Sequence, residues 1–400
     1  MNLAHNEITF FARTNARSPH TQRTFGIKLA DRRSHLYVIG KTGTGKSTML
    51  ETLARQDIER GYGLTVIDPH GSLVERLAAS VPEHRRKDLI YFNPTDPAQP
   101  YRYNPLAPVS PEKRPLAAGV LLEVFHKIWG ERAWGQRMEM IFRNALLAML
   151  DQPEAALPDI LRLMRDDDFR KRVAAKIIHK PVADFWRYEF PKLTFGYRID
   201  STSPIVNKIS AFLSYPTLYK MLTEPGERLN FREIMDSRKI LLVNLSSGKL
   251  GLDAAALLGA MLVTSIGLAG FSRADTPEEE RVDHYLYLDE FQNVTTLTMS
   301  NMLSELRKFR LSMIMAHQYM HQLDPDVQHA VLGNAGTLIS FRLGAKDAPL
   351  LAREFEPKFE TVDLLNLPNW DMYIKLMIDG APSQPFSATT LLYSEILPRG

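Results

Sequence analysis

The chain contains no cysteine, which removes disulfides, thiolate metal sites and a cysteine nucleophile together and agrees with a reducing compartment. The N-terminal stretch MNLAHNEITFFARTNARSPH has no continuous apolar segment, so no export is expected. No internal repeat and no low-complexity tract is present, leaving no basis for a solenoid. Neither sign of charge dominates: the net charge is +3, weak evidence by itself for a polyanionic partner. Within residues 1–33, however, Arg13, Arg17, Arg23, Lys28, Arg32 and Arg33 stand against only Glu7 and Asp31. This basic arm reads equally well as a nucleic-acid contact or as a solvated segment. Long apolar runs are also scarce. AAALLGAMLVTSIGLAGF, residues 254–271, has no charge for eighteen positions, but its Ala, Gly, Ser and Thr and its flanks predict a buried core helix rather than a membrane span.

What is present is the balance of an ordinary globular protein, 44% hydrophobic and 24% charged, in a 400-residue chain long enough for two domains or one large core with an insertion. HLYVIG, a glycine-rich turn and STMLETLARQDIERG, whose apolar residues recur at helical spacing until Gly61, predict strand, loop and helix. GLTVIDPHG and DLIYFNP are short runs stopped by Pro69, Gly71 and Pro94. Three strands with helical crossovers imply a parallel sheet. Strands return at KILLVNLS (239–246), HYLYLDE (284–290), LSMIMAHQ (311–318) and GTLISFRLG (336–344), each apolar enough to be buried on both faces. MYIKLMIDG and PFSATTLL predict a hairpin at a sheet edge.

Between these two groups of strands the character changes. Segments such as AAGVLLEVFHKIWGERAWGQRMEMIFRNALLAML and LPDILRLMRDDDFRKRVAAKII predict amphipathic helices with no convincing strand among them. The expected organisation is therefore residues 1–105 as an N-terminal arm and the first part of a nucleotide-binding domain, 106–235 as an all-α insertion, and 236–400 as the second part. The fold class is α/β, with a mostly parallel central sheet.

Gly40-Lys41-Thr42-Gly43-Thr44-Gly45-Lys46-Ser47 fits G-x-x-x-x-G-K-[ST] at every fixed position. In such a loop the backbone N–H groups of Gly40, Thr42, Gly43, Thr44, Gly45 and the following Lys46, Ser47 and Thr48 curl around phosphates; Lys46 reaches the β/γ oxygens and Ser47 offers a hydroxyl to Mg²⁺. ATP and Mg²⁺ are the cofactors this predicts. Hydrolysis needs carboxylates on a neighbouring strand, and YLYLDE supplies them: Asp289 for the metal shell, Glu290 to orient and deprotonate the attacking water. Gln318, at the end of the next strand, is positioned to report on the γ-phosphate if the two strands are neighbours, the other reading being a surface glutamine. SELRKFR presents three bases at the opposite end of that strand, as an arginine finger or as helix-end charges. His317, His321 and His329 are close in sequence, but the Cys and Glu partners of a zinc site are missing.

Taken in order, HLYVIGKTGTGKSTML, VIDPHGSL, YLDEFQNV, LRKFRLSMIMAHQY and LGNAGTLISFRLGAKDA resemble the conjugative coupling-protein (TraG/TraD-like) ATPases of type IV secretion, within the HerA/FtsK superfamily of DNA-pumping motors. The resemblance spans roughly residues 25–360. It implies a RecA-like domain interrupted by a helical one, a hexameric homo-oligomer threading DNA through its pore, and relaxase or secretion-channel partners. By motif position it makes Arg307 the finger acting in trans, with Arg310 and Arg342 as fallbacks. Lys249, in SSGKLG, becomes a candidate pore contact, a plain connecting loop being the other reading.

The sequence departs from the family pattern in having only 34 residues before the first expected strand, none membrane-like, and in lacking room for the N-terminal barrel of HerA-type motors or a winged-helix extension. A cytoplasmic protein is expected, with a peripheral position at the inner membrane as its variant. Three further readings stand beside the DNA translocase: a secretion-type motor ATPase acting on protein cargo; a HerA-like DNA-processing ATPase; and a slow nucleotide-dependent adaptor that binds a relaxase or channel component, against which Glu290 argues.

Overall fold

The computed structural model describes residues 7–15, 22–107, 109–130 and 134–396. Arg17 of the basic arm lies outside the described residues. The rest fall into two compact units, one built from the chain up to Phe92, Phe231–Ser246 and Ala269 onward, the other from Asn93–Asn230 and Ser247–Leu268.

The first unit carries an eleven-stranded sheet. Its strands in chain order are β1 (Ile8–Thr14), β2 (Thr24–Lys28), β3 (Leu36–Ile39), β4 (Gly63–Asp68), β5 (Leu89–Phe92), β6 (Ile240–Asn244), β7 (His284–Leu288), β8 (Leu311–His317), β9 (Thr337–Ser340), β10 (Asp371–Lys375) and β11 (Phe386–Thr390). In space they run β2-β1-β11-β10-β9-β3-β8-β7-β4-β6-β5. From β9 to β5 every pairing is parallel, while β10, β11, β1 and β2 add antiparallel strands. β4, β6, β7 and β8 are buried at every position, which is why their sequences read as unbroken apolar runs rather than alternating ones. One face packs Leu36, Val38, Leu64, Val66, Ile314 and Ala316 against Met49, Leu50 and Leu53 of helix α1 (Lys46–Glu59) and Leu73 and Leu77 of α2 (Ser72–Ser80).

The first strand is not at residue 35: much of the basic arm is itself sheet, β1 and β2, because β1 finds its partner in β11, nearly the whole chain away (Ala12 opposite Thr390). Nor are its bases merely solvated. Arg32 is buried in an ion pair with Asp57, Arg33 pairs with Asp283 at 2.8 Å, and Lys28 pairs with Asp379. The predicted hairpin does form, from β10 and β11, but the same arm covers it, so the sheet edges are β2 and β5.

The second unit is helical apart from the two-residue parallel pairing of Tyr101–Arg102 with Glu227–Arg228. Its main helices are Arg114–Trp129, Gln136–Leu150, Leu157–Arg165, Asp167–Lys176, Phe195–Leu213 and Pro216–Thr223. Phe125, Trp129 and Phe142 pack face and edge with ring centroids 4.8–5.3 Å apart. The unit is wider than the expected 106–235 and takes in a second segment, 247–268. A hydrogen bond between the hydroxyls of Tyr103 and Ser265 (2.9 Å) is one link of that segment to the rest of the unit, a relation that hydrophobic periodicity does not reveal. Helix Leu252–Ser272 contains the apolar run; 72% of its most apolar window is buried inside the protein, although by length and composition it would suffice to cross a membrane.

Candidate active site

The parallel strands end in one row of polar groups. Register sets Asn244 beside Asp68 at the ends of β6 and β4, and Ile67 opposite Leu288, so Asp289 follows immediately alongside Asp68. His317 of β8 lies opposite Ile39 of β3, which brings Gln318 to the start of the glycine-rich loop. Carboxyl ends of parallel strands are where open α/β sheets bind ligands.

The loop from Gly40 to Gly45 leads into α1 at Lys46. Its N–H groups at Gly40 and Lys41 are used to anchor it, to the carbonyls of His317 (3.2 Å) and Arg342 (2.9 Å). Gly40 is required because a Cβ there would lie 2.5 Å from Cβ of Phe341, and Gly45 because its φ of 124° suits no L side chain. Thr42 and Gly43 are exposed at the tip, Thr44 is buried, and Ser47 and Thr48 are half-buried on the first turn of α1. Lys46 is buried, its Nζ donating to the carbonyls of Gly40 (2.6 Å) and Lys41 (3.2 Å); burial pulls its pKa down against the attraction of Glu290 and Asp289.

Ser47 Oγ donates to Asp289 Oδ2 at 3.2 Å. Burial pushes the Asp289 carboxyl up to about 6, with Asp68 and Glu290 adding to the effect and Lys46 opposing it. That is the electrostatic state of a site short of positive charge, and Ser47 and Asp289 are oxygen groups that would suit a cation. Among the described residues no three His, Asp or Glu side chains gather as a metal site of their own. Glu290 sits in the left-handed region at φ 49°, and both its carboxylate oxygens are held, by Gln318 Nε2 (2.6 Å) and Gln292 Nε2 (2.8 Å). Strained backbone at a polar strand end is common at functional sites. Gln318 in turn accepts from the Thr42 hydroxyl at 2.8 Å. The structure thus brings Lys46, Ser47, Asp289, Glu290 and Gln318 together, because β7 and β8 are sheet neighbours.

Sequence reading passed over Asp68. Its carboxylate accepts from the N–H groups of His70, Leu73 and Val74, fixing the turn into α2 beside Asp289; the available signal was the polar end of VIDPHG. Of the three candidate fingers, Arg310 is turned toward Asp283 (3.8 Å), and Arg342 donates to the Leu367 carbonyl (3.3 Å) and to Asn369 Oδ1 (2.8 Å). Arg307 is exposed, has no ion-pair partner among the described residues, and lies before β8, whose seven residues separate it from Gln318 by roughly 20 Å. The histidines diverge: His317 is buried against Tyr37, and His321 pairs with Asp347. Lys249 is exposed in a single helical turn, Ser247–Leu250, rather than in the expected open loop.

The chain belongs to the type IV secretion-system coupling protein DNA-binding domain family, which it matches over residues 23–348. No curated protein sequence matches it. Among solved structures it is similar to plasmid coupling protein TrwB in complex with the non-hydrolysable GTP analogue GDPNP, at 16% identity and a TM-score of 0.66 over 92% of this chain and 88% of that one. The complex of TrwB with ADP and Mg²⁺ is likewise similar, at 16% identity and 0.66 over 96% and 95%. VirB4 of Thermoanaerobacter pseudethanolicus follows at 14% and 0.65 over 98% and 97%. At such identities the likeness is one of fold, and it bears out the RecA-like P-loop architecture with an all-α unit.

Proposed function

We propose that this protein is an ATP hydrolase that moves DNA through a ring of six copies of itself, as a coupling ATPase of the conjugative or type IV secretion kind. The observation that carries the proposal is the convergence of Lys46, Ser47, Asp289, Glu290 and Gln318 at one strand-end crevice, with Arg307 exposed at the far end of β8. Lys46 and the loop N–H groups would hold the phosphates and Ser47 and Asp289 would hold Mg²⁺, while Glu290 takes the proton of the attacking water and Gln318 keeps its carboxylate aimed. Bound Mg²⁺ supplies neutralisation of charge developing on the phosphates. Arg307 is too far along β8 to serve its own Lys46, so a finger role requires a neighbouring subunit. TrwB has been captured with GTP and ATP analogues and with ADP and Mg²⁺, which supports nucleotide and Mg²⁺ as the ligands. The family's description supports DNA as the partner, contacted through phosphates and weakly dependent on sequence. The small net charge of +3 leaves protein cargo as the second reading. Relaxase or channel proteins are the partners either reading implies.

Steady-state ATP hydrolysis with and without single- and double-stranded DNA tests this, beside Lys46→Ala, Glu290→Gln and Arg307→Ala. DNA stimulation lost in all three variants, and partly restored by mixing Glu290→Gln with Arg307→Ala, is the expected result. Hydrolysis indifferent to DNA would transfer the assignment to protein cargo or an adaptor.

A further inference from the structure

We propose that Trp370 is the platform on which the base of the bound nucleotide stacks; the inference rests on the nucleotide-site reading above. Trp370 is 45% exposed, a large apolar ring left in solvent. Its backbone is nonetheless tightly held in the left-handed region, at φ 76°, which is an outlier for a bulky residue. Its N–H donates to the carbonyl of Thr44 inside the phosphate loop and its carbonyl accepts from the N–H of Thr390, both at 2.8 Å. Its ring edge lies 3.4 Å from where a Cβ on Gly45 would sit, so the ring stands at the shoulder of the loop where it turns into α1. Among the described residues no aromatic or cationic group stacks on that ring.

These facts fit a ligand contact better than a packing role. Strained backbone persists only where the surroundings impose it, and it gathers at ligand clamps. Here the imposing contact is the phosphate loop itself, and the neighbouring Asn369 accepts from Arg342 at 2.8 Å, so the backbone of the platform is held by contacts that need no ligand. A nucleotide whose phosphates lay over the N–H groups of the loop would have its base within reach of the exposed indole beside Gly45. Stacking is tolerant of base identity because every base has a π-face. The ligand class is therefore a nucleoside triphosphate held by phosphate contacts and stacking, with adenine and guanine bound alike.

The test is calorimetric titration of the full chain with ATP, GTP and inorganic tripolyphosphate in Mg²⁺, comparing wild type with Lys46→Ala, Trp370→Phe, Trp370→Ala and Trp370→Gly. Trp370→Ala and Trp370→Gly are expected to weaken ATP and GTP about 5- to 150-fold and to leave tripolyphosphate unchanged, while Trp370→Phe keeps most of the affinity. Trp370→Gly removes the ring and the backbone strain together, so it stays folded and its thermal midpoint does not fall. Nucleotide affinity of Trp370→Gly and Trp370→Ala within about twofold of wild type, or tripolyphosphate weakened in parallel, overturns the platform and leaves the site reading intact. Equal ATP binding by wild type and Lys46→Ala overturns the site reading, and the platform with it.

Discussion

The side-chain amide of Gln318 donates to Glu290 Oε1 at 2.6 Å and accepts from the hydroxyl of Thr42 at 2.8 Å, joining the carboxylate to the tip of the phosphate loop through one residue. A group arriving over Thr42 therefore alters what holds Glu290. Replacing Gln318 with Ala leaves one carboxylate oxygen unheld while the loop keeps its own anchors to His317 and Arg342. The expected outcome is a kcat for ATP lowered roughly 10- to 100-fold with KM changed about threefold or less. Steady-state kinetics decide it, and a change confined to KM would show that Gln318 only binds.

Asp289 illustrates a conflict between stability and function. Its carboxyl titrates near 6 because burial, Asp68 and Glu290 all disfavour the charge. Between the ordinary carboxylate value and that point the folded chain holds a proton that the unfolded chain has released, so this group's contribution to stability is lost as pH rises through the window. At pH 7.5 the ionised carboxylate costs about 3 kcal/mol. Asp289→Asn should therefore raise the urea midpoint of the nucleotide-free protein at pH 7.5 and abolish the Mg²⁺ dependence of nucleotide binding. A midpoint unchanged or lowered would refute the electrostatic account.

The buried histidines act with the opposite sign. His35 donates from Nε2 to the Leu303 carbonyl (2.9 Å) and accepts at Nδ1 from the Met313 N–H (3.0 Å), an arrangement only the neutral ring can make. Burial pulls its pKa to about 4 and that of His284 to about 3. Stability from both is complete above the unfolded value of about 6.5 and is lost as pH falls below it, on the order of 2 kcal/mol each by pH 5. Urea unfolding in the Asp289→Asn background, where the carboxyl does not offset the effect, should show this decline; a flat profile from pH 7.5 to 5 would contradict it.

Arg32 and Asp57 form a fully buried pair, bridged by Tyr287 and capped by the Tyr285 ring 3.8 Å from the guanidinium carbon. Removing one partner strands the other charge in the core. Asp57→Ala should cost about 3–5 kcal/mol, whereas the double change Arg32→Met with Asp57→Leu should cost far less. Chemical denaturation of both variants separates a requirement for the pair from a requirement for filled volume. Equal losses would mean that packing, not charge, governs this part of the core.

How much of this was legible in the sequence follows from the range of each interaction. The loop from Gly40 to Ser47, the helix after it, the buried strands and the Asp289-Glu290 and Gln318 strand ends are written in local spacing and turn chemistry, and each reappears in the structure. Asp68 was hidden because a capping carboxylate looks like any polar strand end. Trp370 was hidden because nothing near it in sequence marks it; its partners Thr44 and Thr390 are brought to it by the sheet.

The sequence by itself determined the apolar runs that make the parallel strands, the glycines that let the loop curl, and the identities of the groups at the strand ends, because these depend on neighbours a few residues away. Tertiary structure alone decided that a basic arm becomes two strands, that the C-terminal hairpin lies inside the sheet, that residues 247–268 join the helical unit, and that Arg307 is left exposed. Each of those outcomes turns on a pairing between distant segments, Ala12 with Thr390 or Arg32 with Asp57, whose free energy exists only once the chain has closed upon itself.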